Sequence, residues 1–410
     1  MNQSMRDRRP HARRDSNGRR NFLGGLATGA AVLSAVRAAS AAGNDGTAAG
    51  YAAAPAADGM KIVPPKPGEP VTFTLGLDRL PIKSTSGGWA REANARGLPL
   101  ATGIAGAHLF MNPGGSREMH WHATAAEWAY ILEGQCQVTV LEPDGTLDVA
   151  NYGPGDLWFF ARGHAHGIQT LGDNPCHAIL TFDDGLFSER GTFGLSDWLS
   201  RYDAATVAHN FGVPESSVAS FPHGETYINQ GPVIPLESPQ AREVNPLPPA
   251  RSHRYRMMAQ KPWRSFPGGT IHLASAHEFP ASATMTGVVV RLKPGAMQEL
   301  HWHPNANEWF YVARGRVRAT LFGANKKMAI AELEAGDCGY APMGWGHSIQ
   351  ALGPESAEII STLDNGTYLD SSPSEWIAKA PRHLLENNLT TSATAFERFP
   401  KAKVTIAGGI

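Results

Sequence analysis

The sequence predicts an all-β protein built twice from one barrel or sandwich. Three observations carry that reading. First, 44 glycines and 30 prolines in 410 residues supply many turns. Second, short β-prone runs such as Val138–Leu141, Leu157–Phe160 and Ala178–Phe182 are bounded by Gly, Pro, Asp or Asn, and turn signals recur every 8–12 residues or so. Third, the chain repeats itself: Gly114 to His122 returns as Gly295 to His303, an offset of 181.

The chain divides, in order, into an address, a linker, a first repeat, a connector, a second repeat and a tail. Residues 1–41 hold eight Arg and two Asp. Arg19-Arg20-Asn21-Phe22-Leu23, a weakly apolar run to Val36 and an Ala39-Ser40-Ala41 cleavage site resemble a twin-arginine export signal. The apolar run is too short to span a bilayer. The expectation is a periplasmic or secreted protein, free of the membrane once the signal is removed. Residues 42–65, rich in Ala, Gly and Pro, read as a disordered linker.

The first repeat is expected over 66–213 and the second over 263–390, each ending in helix, around Ser196–Asn210 and Ser374–Asn388. A Pro-rich connector, 214–262, and a tail, 391–410, complete the chain. The constant offset also maps Glu127-Trp128 onto Glu308-Trp309, Gly155-Asp156 onto Gly336-Asp337 and His166 onto His347. Beyond Gly185 the offset falls to 178, as Trp198 and Trp376 show, so the first repeat carries three extra residues around Phe187–Thr192.

Lys and Arg total 36 against 37 Asp and Glu, a net charge of −1, which argues against a nucleic-acid partner. Cys136, Cys176 and Cys338 form no CxxC pair and no disulfide framework; they read as small buried apolar residues. His108, His177 and His272 read as ordinary core histidines.

The chemistry lies in the repeated strand. Strand alternation puts His120 and His122 on one face and Trp121 on the other. Glu127, just past a tight turn, and His166, on a later strand, can face the same interior. His301, His303, Glu308 and His347 repeat the set at identical spacing. Three imidazoles and a carboxylate suit Mn, Fe, Ni or Zn, and donor softness alone does not choose among them.

These residues carry a family resemblance. G-x5-H-x-H-x4-E-x6-G runs from Gly114 to Gly134 and again from Gly295 to Gly315 and is similar to the first cupin motif; Gly155 to His166 and Gly336 to His347 resemble the second. Two such units imply a bicupin: tandem double-stranded β-helix (jelly-roll) barrels with short flanking helices. Arg117–His122, Glu127–Tyr130, Gly155–Trp158, Phe182–Gly185, Ser188-Glu189 and Asn210–Val213 are similar to oxalate decarboxylases.

That resemblance implies two manganese ions per chain, dioxygen as co-catalyst, oxalate as substrate, and formate and CO2 as products. It implies that Arg117 binds and polarises oxalate and that Glu189, on a lid, handles the proton. It also implies a homo-oligomer, a trimer or a hexamer. Gln298 stands where the first repeat has Arg117, and no Glu aligns with Glu189 in the second repeat. The second ion is therefore expected to be mainly structural. Arg190 and Gly191 depart from the usual lid pattern, which keeps an oxalate oxidase, releasing CO2 and hydrogen peroxide, as the rival. A non-catalytic metal-binding bicupin and a cupin dioxygenase acting on another small acid are the readings from further away.

Overall fold

The structure is a computed structural model, and it describes residues 71–188, 191–244 and 247–409. The export signal and linker expected over 1–65 lie outside the described residues, as does Glu189.

Each repeat folds into two facing antiparallel sheets, the arrangement that alternating strands joined by short turns favour. In the first barrel one sheet runs, from edge to edge, Arg254–Tyr255, Leu157–Phe160, Glu127–Glu133, Cys176–Phe182, Ala105–Met111, Gly88–Ala93 and Lys83–Thr85. The other is built on Gly115–His122, Ala165–Leu171, Gln135–Leu141 and Leu147–Tyr152. The second barrel repeats this plan around Met297–His301, Gly346–Leu352 and Arg316–Gly323.

The repeat is larger than the sequence motif suggests. Ile228–Gln230, in the expected connector, pairs with the Gly115–His122 strand. Ile406–Ala407, in the expected tail, pairs with Met297–His301. Ile228 and Ile406 stand 178 apart, and each follows a non-glycine residue in the left-handed region, Tyr227 (φ 60°) and Thr405 (φ 61°). The connector and the tail are thus, in part, edge strands of the metal-bearing sheets. Each expected terminal helix is broken in two: Leu195–Ser200 with Ala204–Phe211, and Pro373–Lys379 with Arg382–Leu389. Asp203 caps its helix by accepting from the Thr206 amide at 2.6 Å, and Pro381 sits at the other break, where it cannot continue a helix.

The barrels also exchange arms. Thr74–Leu75, at the start of the first repeat, joins the second barrel beside Cys338–Ala341. Arg254–Tyr255, preceding the second repeat, joins the first barrel beside Leu157–Phe160. Each barrel has its own apolar core, and a third cluster including Trp128, Ile179, Val289, Trp309 and Ile360 lies between them. There the packing is reciprocal: a Cβ on Gly106 would overlap the Trp309 ring, and one on Gly287 would overlap Trp128. All three cysteines are buried, and the Cys136 thiol lies beside Cys176, a proximity their spacing does not reveal.

His108 is buried, yet not idle. Its Nδ1 meets Asp78 Oδ1 at 2.6 Å, and Tyr311 of the second barrel donates to Asp78 Oδ2 at 3.0 Å. Burial alone would raise the Asp78 carboxyl, but His108, Tyr311 and Arg91 outweigh it and hold it below the usual carboxylate range. A lowered carboxylate stabilises the fold above its unfolded pKa, about 4, and that contribution is lost as pH falls through the folded value. Asp78→Asn is therefore expected to be less stable than the parent at pH 7, with the gap closing in acid. Guanidinium midpoints for both chains at pH 7 and near pH 3 measure it; a gap that does not narrow would refute the assignment.

Candidate metal centres

The first cage is made by three strands, two of them neighbours in one sheet and the third entered through a tight turn. His120 and His122 alternate along Gly115–His122, and His166 on Ala165–Leu171 lies directly opposite His120. Glu127 opens the next strand, and the preceding turn is held by Ala126 N–H donating to Asp183 at 2.7 Å. All four side chains are at most 3% exposed, and one ligand atom from each lies within 4.8 Å of the others. His301, His303, Glu308 and His347 form the second cage under the same distance limit.

Hydrogen bonds at the outer nitrogens fix which nitrogen faces inward. His120 Nδ1 reaches the Glu118 carbonyl at 2.6 Å and His166 Nδ1 the His164 carbonyl at 2.9 Å. In the second cage His301, His303 and His347 point Nδ1 at the Glu299, Leu369 and Trp345 carbonyls, at 2.8, 2.8 and 3.1 Å. A carbonyl can only accept, so each Nδ1 carries a proton, and Nε2 is the nitrogen that faces the cage and would give its lone pair to a cation there. His122 Nδ1 has the Thr192 hydroxyl at 3.3 Å.

Burial, with the nearby Arg117, pushes His120 well below the ordinary imidazole range; burial does the same to His301. Burial acting alone would raise Glu127 and Glu308, but the imidazoles beside them hold both carboxyls well below the ordinary range. His303 goes the other way, raised against burial by Glu308 at 3.0 Å, so a divalent cation taking its Nε2 lone pair would displace a proton there. His166 Nε2, buried and 3.4 Å from Glu127 Oε2, makes no well-formed hydrogen bond. The donor sets therefore fit a metal in both cages.

Arg117 stands three residues before His120, a spacing that regular alternation would turn outward. The structure supplies the reason it does not. Ile168 pairs with Arg117 while His166 pairs with His120, so the Gly115–His122 strand carries one extra residue, a β-bulge. Arg117 is 3% exposed, donates to the Tyr227 carbonyl at 3.1 Å and lies 4.5 Å from the Tyr227 ring. The same bulge occurs between Gln298 and His301, and it brings the Gln298 amide to 3.3 Å from His301 Nε2.

The pair Glu189–Arg190 lies outside the described residues, but both of its flanks meet the cage. Phe187 packs edge-on to the His122 ring at 4.9 Å and stacks on Phe182 at 3.7 Å. On the far side, Thr192 pairs with His122. Phe187, Ser188 and Gly191 line a cleft of about 1010 Å³ with Lys83, Glu92 and Arg96.

Three contributors are absent from the sequence reading. Trp158 Nε1 donates to Glu127 Oε1 at 2.9 Å and so leaves Oε2 for the cage; Gly339 replaces it in the second barrel. Tyr227 holds Arg117 from the connector. Glu118, buried, accepts from Ser196, Thr226 and the Tyr227 amide, tying the outer strand to the metal-bearing one. Glu299 does the same with Ser374 and the Thr405 amide. The pairs Glu118/Glu299 and Ser196/Ser374 keep the repeat offsets, which is the signal that could have exposed them.

Two antiparallel barrels, each enclosing three imidazoles and one carboxylate, define a bicupin. The cupin family model matches residues 77–219 and 258–395. Oxalate decarboxylase OxdC of Bacillus subtilis (strain 168) is 35% identical over 328 residues, 77% of this chain and 83% of that protein. A probable oxalate decarboxylase of Arthroderma benhamiae is 35% identical over 339 residues, 81% of each chain. A solved Bacillus subtilis oxalate decarboxylase, studied for the fine structure of its Mn(II) centres, superposes with a TM-score of 0.76 at 32% identity, covering 85% of this chain and 92% of that one. The chain belongs to the oxalate decarboxylase family of bicupins.

Proposed function

We propose that the protein is a manganese-dependent oxalate decarboxylase, converting hydrogen oxalate to formate and CO2 in its first barrel. The observation that carries the choice of barrel is the asymmetry beside the cages: a buried Arg117 next to His120, and an uncharged Gln298 next to His301. A guanidinium is a fixed cationic fork suited to a carboxylate, and an amide is not.

Manganese held by His120, His122, Glu127 and His166 supplies, with dioxygen, the one-electron chemistry that loosens the oxalate C–C bond. Arg117 binds and polarises the carboxylate of the substrate. Glu189 takes the proton of hydrogen oxalate and, after CO2 has left, returns it to the remaining carbon. C2HO4− thus gives HCO2− and CO2 with no net proton uptake. Phe182 and Phe187, stacked against the His122 side of the cage, keep water from the reacting carbon. Support for Glu189 comes from its neighbours, since Phe187 and Thr192 both touch His122.

Formate and peroxide measured together on oxalate, with metal content on the same sample, test this reading. Formate is the expected main product; peroxide in its place would establish the oxidase. Glu189→Ala is expected to lose formate production by roughly 10²–10⁴-fold, the range for a positioned acid–base group. Formate at the parent rate would remove that role.

The proposal extends to the cell. The twin-arginine-type segment supports export, and carriage of an already folded protein would let manganese be loaded before zinc or copper compete. Zinc as the dominant metal in protein from the native host would contradict this. No helix among the described residues is long and apolar enough to cross a membrane. Phe193, Trp198, Tyr202 and Trp376 are largely exposed, which supports self-association of this chain; a trimer or hexamer is what the family resemblance implies.

A further inference from the structure

We propose that Gln298 is a fifth protein ligand to the ion in the second cage, a donor that the first cage lacks. The inference rests on reading His301, His303, Glu308 and His347 as metal ligands. Three observations lead to it.

The bulge between Gln298 and His301 cancels the odd spacing and turns the Gln298 side chain toward the cage. The side chain is buried, 6% exposed, and its amide end lies 3.3 Å from His301 Nε2, itself a ligating atom. The two ends of a carboxamide differ only by a flip about the last torsion. Turned with Oε1 inward, the amide presents an oxygen to the same cation that takes the His301 lone pair. A carbonyl-type oxygen is a donor that Mn(II) favours.

The first cage offers the opposite. Arg117, at the equivalent place, is a cation and cannot ligate. Three imidazoles and one carboxylate oxygen would leave an octahedral ion about two open positions, and Arg117 stands beside His120, where it could hold an anion near them. With Gln298 as donor, the second ion retains about one position, for water.

The cover over the second cage agrees with a closed site. His303 Nδ1 donates to the backbone carbonyl of Leu369 at 2.8 Å, and the Tyr368 ring packs against His303 at 5.5 Å. In the first cage the matching contact to His122 is a side-chain hydroxyl at 3.3 Å.

The test uses the full chain loaded with manganese. Waters bound to Mn(II) are counted by proton relaxation and by EPR line broadening in 17O-enriched water. Gln298→Ala is expected to gain about one water per chain and to release one of its two ions to a chelator about tenfold faster or more. Gln298→Glu keeps an oxygen donor and is expected to retain the parent's hydration and slow release. Unchanged hydration and release in Gln298→Ala would overturn the proposal. Should that variant fail to fold, the parent decides: its two ions are expected to carry about three bound waters between them, and about four would overturn the assignment. A His122→Ala chain that binds no manganese would remove the metal reading of the second cage, and this proposal with it.

Discussion

Replacing Arg117 by Ala is expected to lower kcat/KM for oxalate by roughly 10²–10³-fold, the usual loss when one preorganised donor to developing charge is removed. Both ions should stay bound. Arg117 lies beside the ligand His120 but is not itself a metal donor, and its guanidinium is held from behind by the Tyr227 carbonyl at 3.1 Å and the Tyr227 ring at 4.5 Å. That anchoring keeps the fork oriented before substrate arrives, so little entropy is spent in binding. Arg117→Lys should rescue little of the loss, because an ammonium offers no planar pair of donors. Arg117→Gln would give the first cage the neighbour the second cage has. Formate production followed by NMR, with manganese content on each sample, measures all three variants. A loss of less than about tenfold with full metal content would show that oxalate is held by something else.

The second large effect is a contrast between equivalent histidines. His122→Ala and His303→Ala remove the same ligand from the two cages, since the residues stand 181 apart. On the proposed division the ion in the first cage takes part in the reaction, and turnover should fall to background. On the same proposal the ion in the second is a fastener, and oxalate turnover per first-cage ion should survive. The cost there is stability: an ion that binds only the folded chain, present at a thousand times its dissociation constant, contributes about 4 kcal/mol. His303→Ala should therefore melt earlier than the parent, and added manganese should no longer raise that melting temperature to the parent's value. Calorimetry with and without manganese, paired with the formate assay, reads both halves of the contrast. Equal loss of turnover in the two variants would sink the division of labour.

Much of this site was legible in the chain because it is written twice. The eight cage residues keep one offset and one spacing, and three strands suffice to bring each set together. Arg117 was harder, because alternation sends it outward and only a bulge, which no residue type announces, brings it back. The connector and tail misled for a related reason. Tyr227-Ile228 and Thr405-Ile406 share backbone shape and register but little side-chain identity. The Trp158 and Tyr227 side chains make contacts that the second repeat does not copy, since Gly339 and Thr405 stand in their places, so repetition could not reveal them. The thiols of Cys136 and Cys176 meet only because their strands belong to facing sheets.

The crossed arms bear on how such a chain can be divided. A protein expressed as residues 66–213 would lose both Ile228–Gln230 and Arg254–Tyr255, and would present two raw sheet edges to any neighbour. The partner fragment would likewise miss Thr74–Leu75. Each half ends inside the other, as in a swapped pair of identical subunits later spliced head to tail. One ancestral barrel would have needed a twin to be complete, and here the twin is encoded in the same polypeptide.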